Sequence, residues 1–432
     1  MQFSQPIFTS LSPNTEKDDI WLALKLILKP WKWKKGKAIE GLEKDLAEYL
    51  GVKHTFAFNS GRSAFLAILN SLDLEQGSGV LLQAFTCNAL VNPIIWSSLK
   101  PVFVDIREET LNIDTEDLKR KIGSKSKAVV VQHTFGLPAD LDEIIKICEE
   151  NNLILIEDCA HSLGAVYKYA ENGSRHIRRV GTFGKASFFS FGRDKIISSV
   201  YGGMAVTNDD KLAEKIKKYQ EKCSQPFYFW IFQQLLHPIL CNFLIIPLYR
   251  FFGIGRYFLI GFQKLKILSK AVHKKEKQGK KPAYIPQKMP NALAILGLHQ
   301  FKKLDKFISH QRKVANFYTQ NLLNWTSSEL VPLDGGGKGR VYMRYPILIQ
   351  DSNTDEILKK ARKQNIFLND GWRKSVIVPL DTNQEKMQYI SDDCPVAEKV
   401  AKNILNLPTH INISEEKAKK IINFLKQAII KR

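Results

Sequence analysis

The chain has no Cys-x-x-Cys pair. Its six cysteines (Cys87, Cys148, Cys159, Cys223, Cys241 and Cys394) are irregularly spaced. That excludes a thiolate zinc motif or a disulfide framework, leaves no metal site to expect, and points to a reducing compartment, here the cytoplasm. The first 19 residues contain no apolar stretch of the kind a secretory leader needs, so none is expected. There is no internal repeat, which excludes a solenoid, and no recognisable nucleic-acid module, so no nucleic-acid partner is expected. Acid is scarce: 43 Asp+Glu stand against 64 Lys+Arg, a net charge of +21. Such a balance favours anionic partners, either lipid headgroups or phosphorylated substrates. Residues 227–249 lack Asp, Glu, Lys and Arg altogether.

At 432 residues the chain is long enough for more than one core. Residues 1–18 read as a loose N-terminal tail. Residues 20–28 suit a helix, and residues 29–35 break it with lysines and with Trp31 and Trp33. Residues 38–50 carry apolar residues at helical spacing (Ile39, Leu42, Leu46, Leu50) and stop at Gly51. Short apolar runs then alternate with helical stretches. Strands are expected over 55–58, 80–82, 101–104, 128–132, 153–156, 186–189 and 203–206. Helices are expected over 63–72, 89–98, 115–122 and 141–151. This alternation predicts an α/β fold built on a mostly parallel seven-stranded sheet. The expected division is a large domain over 19–224, an insertion over 225–283, and a linking helix (290–307) with a smaller α+β domain over 284–432.

One constellation carries chemistry. Lys195 sits in Ser190-Phe191-Gly192-Arg193-Asp194-Lys195, shortly before Gly202-Gly203. Asp158 closes the apolar run 153–156 and is followed by Cys159-Ala160-His161. Asn59-Ser60-Gly61-Arg62-Ser63 joins an expected strand to an expected helix. A lysine amine can hold an aldehyde and later move a proton. A strand-end acid can keep a pyridine nitrogen protonated. A small-residue turn at a helix start suits a phosphate. Together the three read as a site for pyridoxal 5′-phosphate (PLP). Ser190 is a second phosphate ligand in this reading, and Arg62 either adds charge there or faces solvent. Each piece alone has an ordinary alternative: Lys195 a surface charge, Asp158 a helix cap, His161 a core histidine, Ser60 an N-cap.

In that order and spacing the chain resembles the DegT/StrS family of PLP-dependent nucleotide-sugar aminotransferases, which are fold-type I enzymes. The matching pieces are Asn59-Ser60-Gly61, Pro101-Val102-Phe103-Val104-Asp105, Gly136-Leu137-Pro138-Ala139-Asp140, Glu157-Asp158-Cys159-Ala160-His161, Ser190-Phe191 with Lys195, and Gly202-Gly203. Residues 289–300, Pro395-Val396-Ala397-Glu398 and Leu407-Pro408 follow. The resemblance implies a homodimer with sites at the subunit interface, glutamate as amino donor, and a keto-sugar acceptor in cell-envelope or polysaccharide synthesis. It implies Lys195 as the lysine that carries the cofactor, Asp158 at the ring nitrogen, and His161 near the ring oxygen. Ser60, Gly61, Arg62, Ser63 and Ser190 are expected around the phosphate. Cys87, or Phe85, falls where relatives stack an aromatic ring, and Pro286 falls where they place an asparagine. Two other readings stay open on the residues: a different fold-type I PLP enzyme, and a non-catalytic membrane-docked protein of the same fold.

The insertion 225–283 pairs its apolar stretch with Lys264, Lys266, Lys270, Lys274, Lys275, Lys277, Lys280 and Lys281. Pro238 and Pro247 interrupt the apolar stretch, so an interfacial or re-entrant hairpin on an anionic membrane surface is expected, with Trp31 and Trp33 as a second contact. The protein would then be peripheral on the inner face of the plasma membrane. An apolar lid or an enlarged dimer interface is the alternative.

Overall fold

Runs such as Val80-Leu81-Leu82 and Val129-Val130-Val131 are fully buried. A strand apolar on both faces needs cover on both, which a helix-flanked parallel sheet supplies. The computed structural model describes residues 5–171, 174–251, 253–323, 330–333, 339–350 and 354–430. Its central sheet contains β1 (His54–Phe58), β2 (Gly79–Gln83), β3 (Lys100–Val104), β4 (Ser126–Gln132), β5 (Ile154–Asp158), β6 (Ala186–Ser190) and β7 (Gly203–Thr207). The order across the sheet is β1-β7-β6-β5-β4-β2-β3. Only β7 runs antiparallel to its neighbours. All seven expected strands are present, with ends shifted by one or two residues.

The helices of this part of the chain are α1 (Lys17–Ile27), α2 (Ala38–Leu50), α3 (Gly61–Ser71), α4 (Asn88–Trp96), α5 (Thr115–Lys121), α6 (Leu141–Glu150) and α7 (Asp210–Lys222). Gly51 ends α2 at φ 72°, a left-handed turn that costs glycine nothing. A three-stranded antiparallel sheet (Leu330–Pro332, Tyr345–Ile349, Ile404–Leu407) packs with helices Leu304–Leu323 and Glu415–Ile430 into a second core. The two parts are stitched by Asp105 after β3, whose carboxylate accepts N–H bonds from Val396 (2.9 Å) and Ala397 (2.8 Å) at the start of helix Pro395–Asn403. Two matched motifs far apart in sequence are thus one helix cap.

Three expectations need correcting, and one element had none. The tail is not loose. Residues 1–4 of it lie outside the described residues, but Ile7 and Phe8 pair with Ile366 and Phe367, and Thr9, Ser12 and Asn14 are buried. The helix expected over 290–307 is two, Asn291–Phe301 and Leu304–Leu323, separated at Lys302-Lys303. Trp33 is core rather than surface: its indole N–H donates to the Leu26 carbonyl at 2.6 Å, while Trp31 is exposed. The hairpin Val166–Glu171/Ser174–Arg179 was not foreseen, because its mixed charged sequence lacks the apolar signal of the buried strands.

The insertion folds as a helical hairpin. Helix α8 (Tyr228–Leu240) continues through a wide turn, Cys241–Ile245, into Ile246–Tyr249, and the chain returns as helix Ile254–Lys264. Gly253 reverses it at φ 73°. At Gly255 a Cβ would lie 2.1 Å from the Ile245 carbonyl, so the return helix approaches this closely only without a side chain there. The inner face, with Ile231, Leu235, Cys241 and Ile245, is buried, and α8 packs on α1 and on helix Asn291–Phe301. Phe227, Tyr228, Phe229, Phe243 and Tyr257 remain exposed. Residues 228–249 are long and apolar enough to cross a bilayer, yet 44% of the most apolar 18-residue portion is buried against the rest of the chain. The hairpin is therefore docked on the fold.

Candidate active site

In a parallel sheet, ligands settle beyond the carboxyl ends of the strands. Here the ends of β1, β5 and β6 and the start of β7 converge: Ser190 is registered with Gly203, Gly203 with Phe58, and Phe188 with Asp158. Above them lies a cavity of about 570 Å³, lined among others by Ser60, Gly61, Cys87, Asp158, His161 and Lys195.

Ser60 caps α3, its hydroxyl accepting the Ser63 N–H at 3.2 Å. The earlier N–H groups of α3 have no intrahelical acceptor and make an anion cradle. Glycine is required there. A Cβ on Gly203 would lie 2.3 Å from the Gly61 nitrogen, and one on Gly61 would lie 3.0 Å from the Ser190 Cβ. Ser190 therefore stands beside the cradle.

Lys195 is 15% exposed, and its ammonium lies 3.9 Å from Asp194. Asn14, from the N-terminal segment, donates to the carbonyls of Lys195 (3.0 Å) and Ile196 (2.9 Å) and fixes this loop. Burial would raise the Asp194 pKa, but Lys195, Arg344 and His161 hold it well below the usual carboxylate range. Arg344, itself buried, bridges Asp194 (2.8 Å) and Asp370 (2.7 Å). Burial pushes the Asp158 carboxyl up to about 6, offset only in part by the Ala160 N–H and the Lys195 charge. His161 goes the other way: burial, then Lys195 and Arg344, push it well below its ordinary value, so it is neutral at pH 7. Its Nδ1 accepts the Phe135 N–H at 3.4 Å, which leaves the proton on Nε2 as a donor. Phe135 stacks on the ring and Trp372 meets it edge-on, centroids 4.9 Å apart.

Not every expected ligand faces the cavity. The Ser63 hydroxyl donates to Asn59 at 2.6 Å, so it braces the turn and does not line the cavity. Arg62 lines the cavity, but its guanidinium is taken by buried Glu276 and by the Ala271 carbonyl at 3.2 Å; it anchors the insertion and is not a free phosphate charge. Cys87, the N-cap of α4, lines the cavity, whereas Phe85 lies beneath it against Phe135 and Trp372. Behind β5, buried His133 and Glu157 pair at 3.2 Å, and Glu157 also accepts N–H bonds from Gly181, Phe183 and Gly184. That cluster is a strut. Sequence reasoning missed Arg193, Asp194, Asp370, Trp372 and the N-terminal Ser10–Ser12 segment, all at the cavity. The one available signal was the Arg193-Asp194 charge pair beside the lysine.

The residues fit PLP: an amine, a strand-end acid with raised pKa, a neutral histidine donor and a cradle that a Cβ would fill. On this topology they define a fold-type I PLP-dependent transferase. Residues 14–232 and 262–426 match the DegT/DnrJ/EryC1/StrS aminotransferase family. The GDP-perosamine synthase of Vibrio cholerae is 40% identical over 185 residues, 43% of this chain and 48% of that protein. The GDP-perosamine synthase of Caulobacter vibrioides is 26% identical over 431 residues, 98% of this chain and 99% of that protein. Helicobacter pylori PseC, an aminotransferase involved in the biosynthesis of pseudoaminic acid, shares the fold with a TM-score of 0.74 at 23% identity, over 99% of this chain and 100% of that one. The chain belongs to the DegT/DnrJ/EryC1/StrS aminotransferase family and is a PLP-dependent aminotransferase. The unmatched segment, 233–261, is the hairpin core of the insertion.

Proposed function

We propose that this aminotransferase moves an amino group from glutamate to the keto group of a nucleotide- or lipid-linked sugar, for cell-envelope polysaccharide synthesis. The observation that carries the reading is Lys195 in one cavity with Asp158, His161 and the α3 cradle. PLP bound there supplies an electron sink that makes the α-proton of an amino acid acidic. Lys195 Nζ, in a loop held by Asn14, would be the base that moves such a proton. Asp158 would keep a proton at the ring nitrogen of bound PLP, and His161 would offer its Nε2 proton to the ring oxygen. Ser60, Gly61 and Ser190 would hold the phosphate. The Arg344 bridge keeps Asp194 ionised beside Lys195. The insertion and Ser10–Ser12 wall the cavity and limit water.

The test is direct. The purified protein should have twice the chain mass by light scattering, as a homodimer, and should show a visible cofactor band that glutamate bleaches. A panel of keto-sugar acceptors should then restore it, with the aminated sugar identified by mass spectrometry. A band unchanged by glutamate would rule out that donor, and a panel yielding no amino-sugar would rule out the acceptor class.

The division at 1–18, 19–224, 225–283 and 284–432 is kept in this reading, with the first segment docked. We also assign the insertion to the inner face of an anionic membrane. Exposed Phe227, Phe229 and Tyr257 lie in a segment that carries Lys264, Lys266, Lys274 and Lys275, also exposed. Exposed Trp31 is near in sequence to Trp33, whose ring meets Tyr228. Aromatic and basic side chains together suit an interface. The protein should co-float with vesicles of phosphatidylglycerol and not with neutral phosphatidylcholine, and exposed-site changes F229S with Y257S should release it. Equal flotation with both lipids, or with neither, removes this assignment.

A further inference from the structure

The cavity opens at the insertion. Of the described residues that line it, Lys270 and Ala271 alone are exposed, and both come shortly after the return helix Ile254–Lys264. That helix presents apolar residues on two sides. Leu259, with Gln263, lies on one side and lines the cavity. Ile254, Tyr257, Phe258 and the capping Leu265 fall at the spacing of a single stripe on the other side. They face outward, Tyr257 and Leu265 being 72% and 71% exposed. The two sides are one helix diameter apart, about 10–12 Å. Exposed Lys264, Lys266, Lys270, Lys274 and Lys275 follow the stripe, and none is in an ion pair among the described residues.

A sugar and an amino acid are polar, and neither makes use of an apolar wall. Leu11, Leu259 and Val272 nevertheless line the cavity. An amphiphile uses every part of this arrangement. Its chain stays among the lipids beside the outward stripe, the lysines meet its anionic group, and its polar end passes the opening. Residues 233–261 hold Leu259 and three of the four stripe residues and lie outside the family match, so this wall is no part of the family pattern. We propose that the acceptor is a sugar carried on a lipid phosphate, taken from the bilayer past the return helix rather than from solution. That the lipid phosphate is the acceptor rests on the aminotransferase reading above; its entry from the bilayer rests on the membrane assignment alone.

The test is photo-crosslinking of the PLP-loaded protein on phosphatidylglycerol vesicles, with labelled residues mapped by mass spectrometry. One set of vesicles carries a polyprenyl phosphate with a benzophenone near its phosphate. The other carries phosphatidylglycerol with the same group at the headgroup end of an acyl chain. The polyprenyl phosphate should label Leu259, Val272 or Leu11, inside the cavity. The tagged phosphatidylglycerol should label only the outward residues Tyr257, Phe258 and Leu265. At limiting probe, L259S should lower cavity labelling by about tenfold, the size of one buried leucine side chain, and leave outward labelling as it was. If L259S loses its circular-dichroism signal, the wild-type map decides alone. Polyprenyl phosphate that labels only the outward residues, or nothing, overturns the proposal. So does cavity labelling by both lipids alike, which would mean that ordinary lipid merely covers the opening. Glutamate bleaching of the cofactor band and vesicle flotation are read separately, so failure of the aminotransferase reading or of the membrane assignment is distinguishable from failure of lipid entry.

Discussion

Replacing Lys195 by alanine should lower turnover by roughly 10⁴-fold, because in the proposed mechanism one side chain would both carry the cofactor and move the proton. Lys270 and Lys277 also line the cavity, but they come from the insertion wall, and Lys277 is tied to Asp381. Only Lys195 extends from the end of β6, beside the strand that presents Asp158. K195R should fail as well, since a guanidinium does not release its proton in the working pH range. Borohydride reduction followed by peptide mapping should fix the cofactor on the Lys195 peptide of wild type and nowhere in K195A. A K195A protein that still turns over at a rate near wild type would refute the assignment.

The second large effect is on stability. Glu276 is fully buried and pairs with Arg62, itself 9% exposed, across 214 residues of sequence. Glu276 also accepts from the Tyr284 hydroxyl (2.8 Å) and the His273 N–H (2.7 Å). E276Q leaves a buried guanidinium without its anion, at a cost of about 3–5 kcal/mol. The urea midpoint should fall accordingly, and added salt should not mimic the change, because the pair is shielded from ions. Replacing both partners, R62M with E276M, should recover most of the loss, since no unpaired charge remains. An E276Q midpoint equal to wild type would mean the pair contributes nothing. The change should reach the cofactor too: Arg62 is the second residue of α3, so a loosened insertion loosens the phosphate cradle.

The sheet was legible because its signal is local. Val129-Val130-Val131 and Leu153-Ile154-Leu155-Ile156 announce buried strands without reference to anything else in the chain. The same holds for Lys195, Asp158 and Ser60-Gly61, each placed by the strand before it. What sequence could not give are partnerships between distant residues. Arg62 looked like a phosphate ligand until Glu276 claimed it, and Ser63 until Asn59 did. Arg344, Asp370 and Trp372 reach the cavity from the C-terminal part of the chain, with no spacing to mark them. The tail looked loose because Ile7 and Phe8 are a strand only in company with Ile366 and Phe367.

That last pairing has a consequence for biogenesis. Ile7 leaves the ribosome early and must wait for Ile366, and elongation at 5–20 residues per second puts that wait at about 20–70 s. Until then Asn14 has no docked strand to hold it against the carbonyls of Lys195 and Ile196. A nascent chain with its whole central sheet complete thus still lacks an ordered Lys195 loop, so vitamin B6 capture, if Lys195 performs it, should come close to the end of translation.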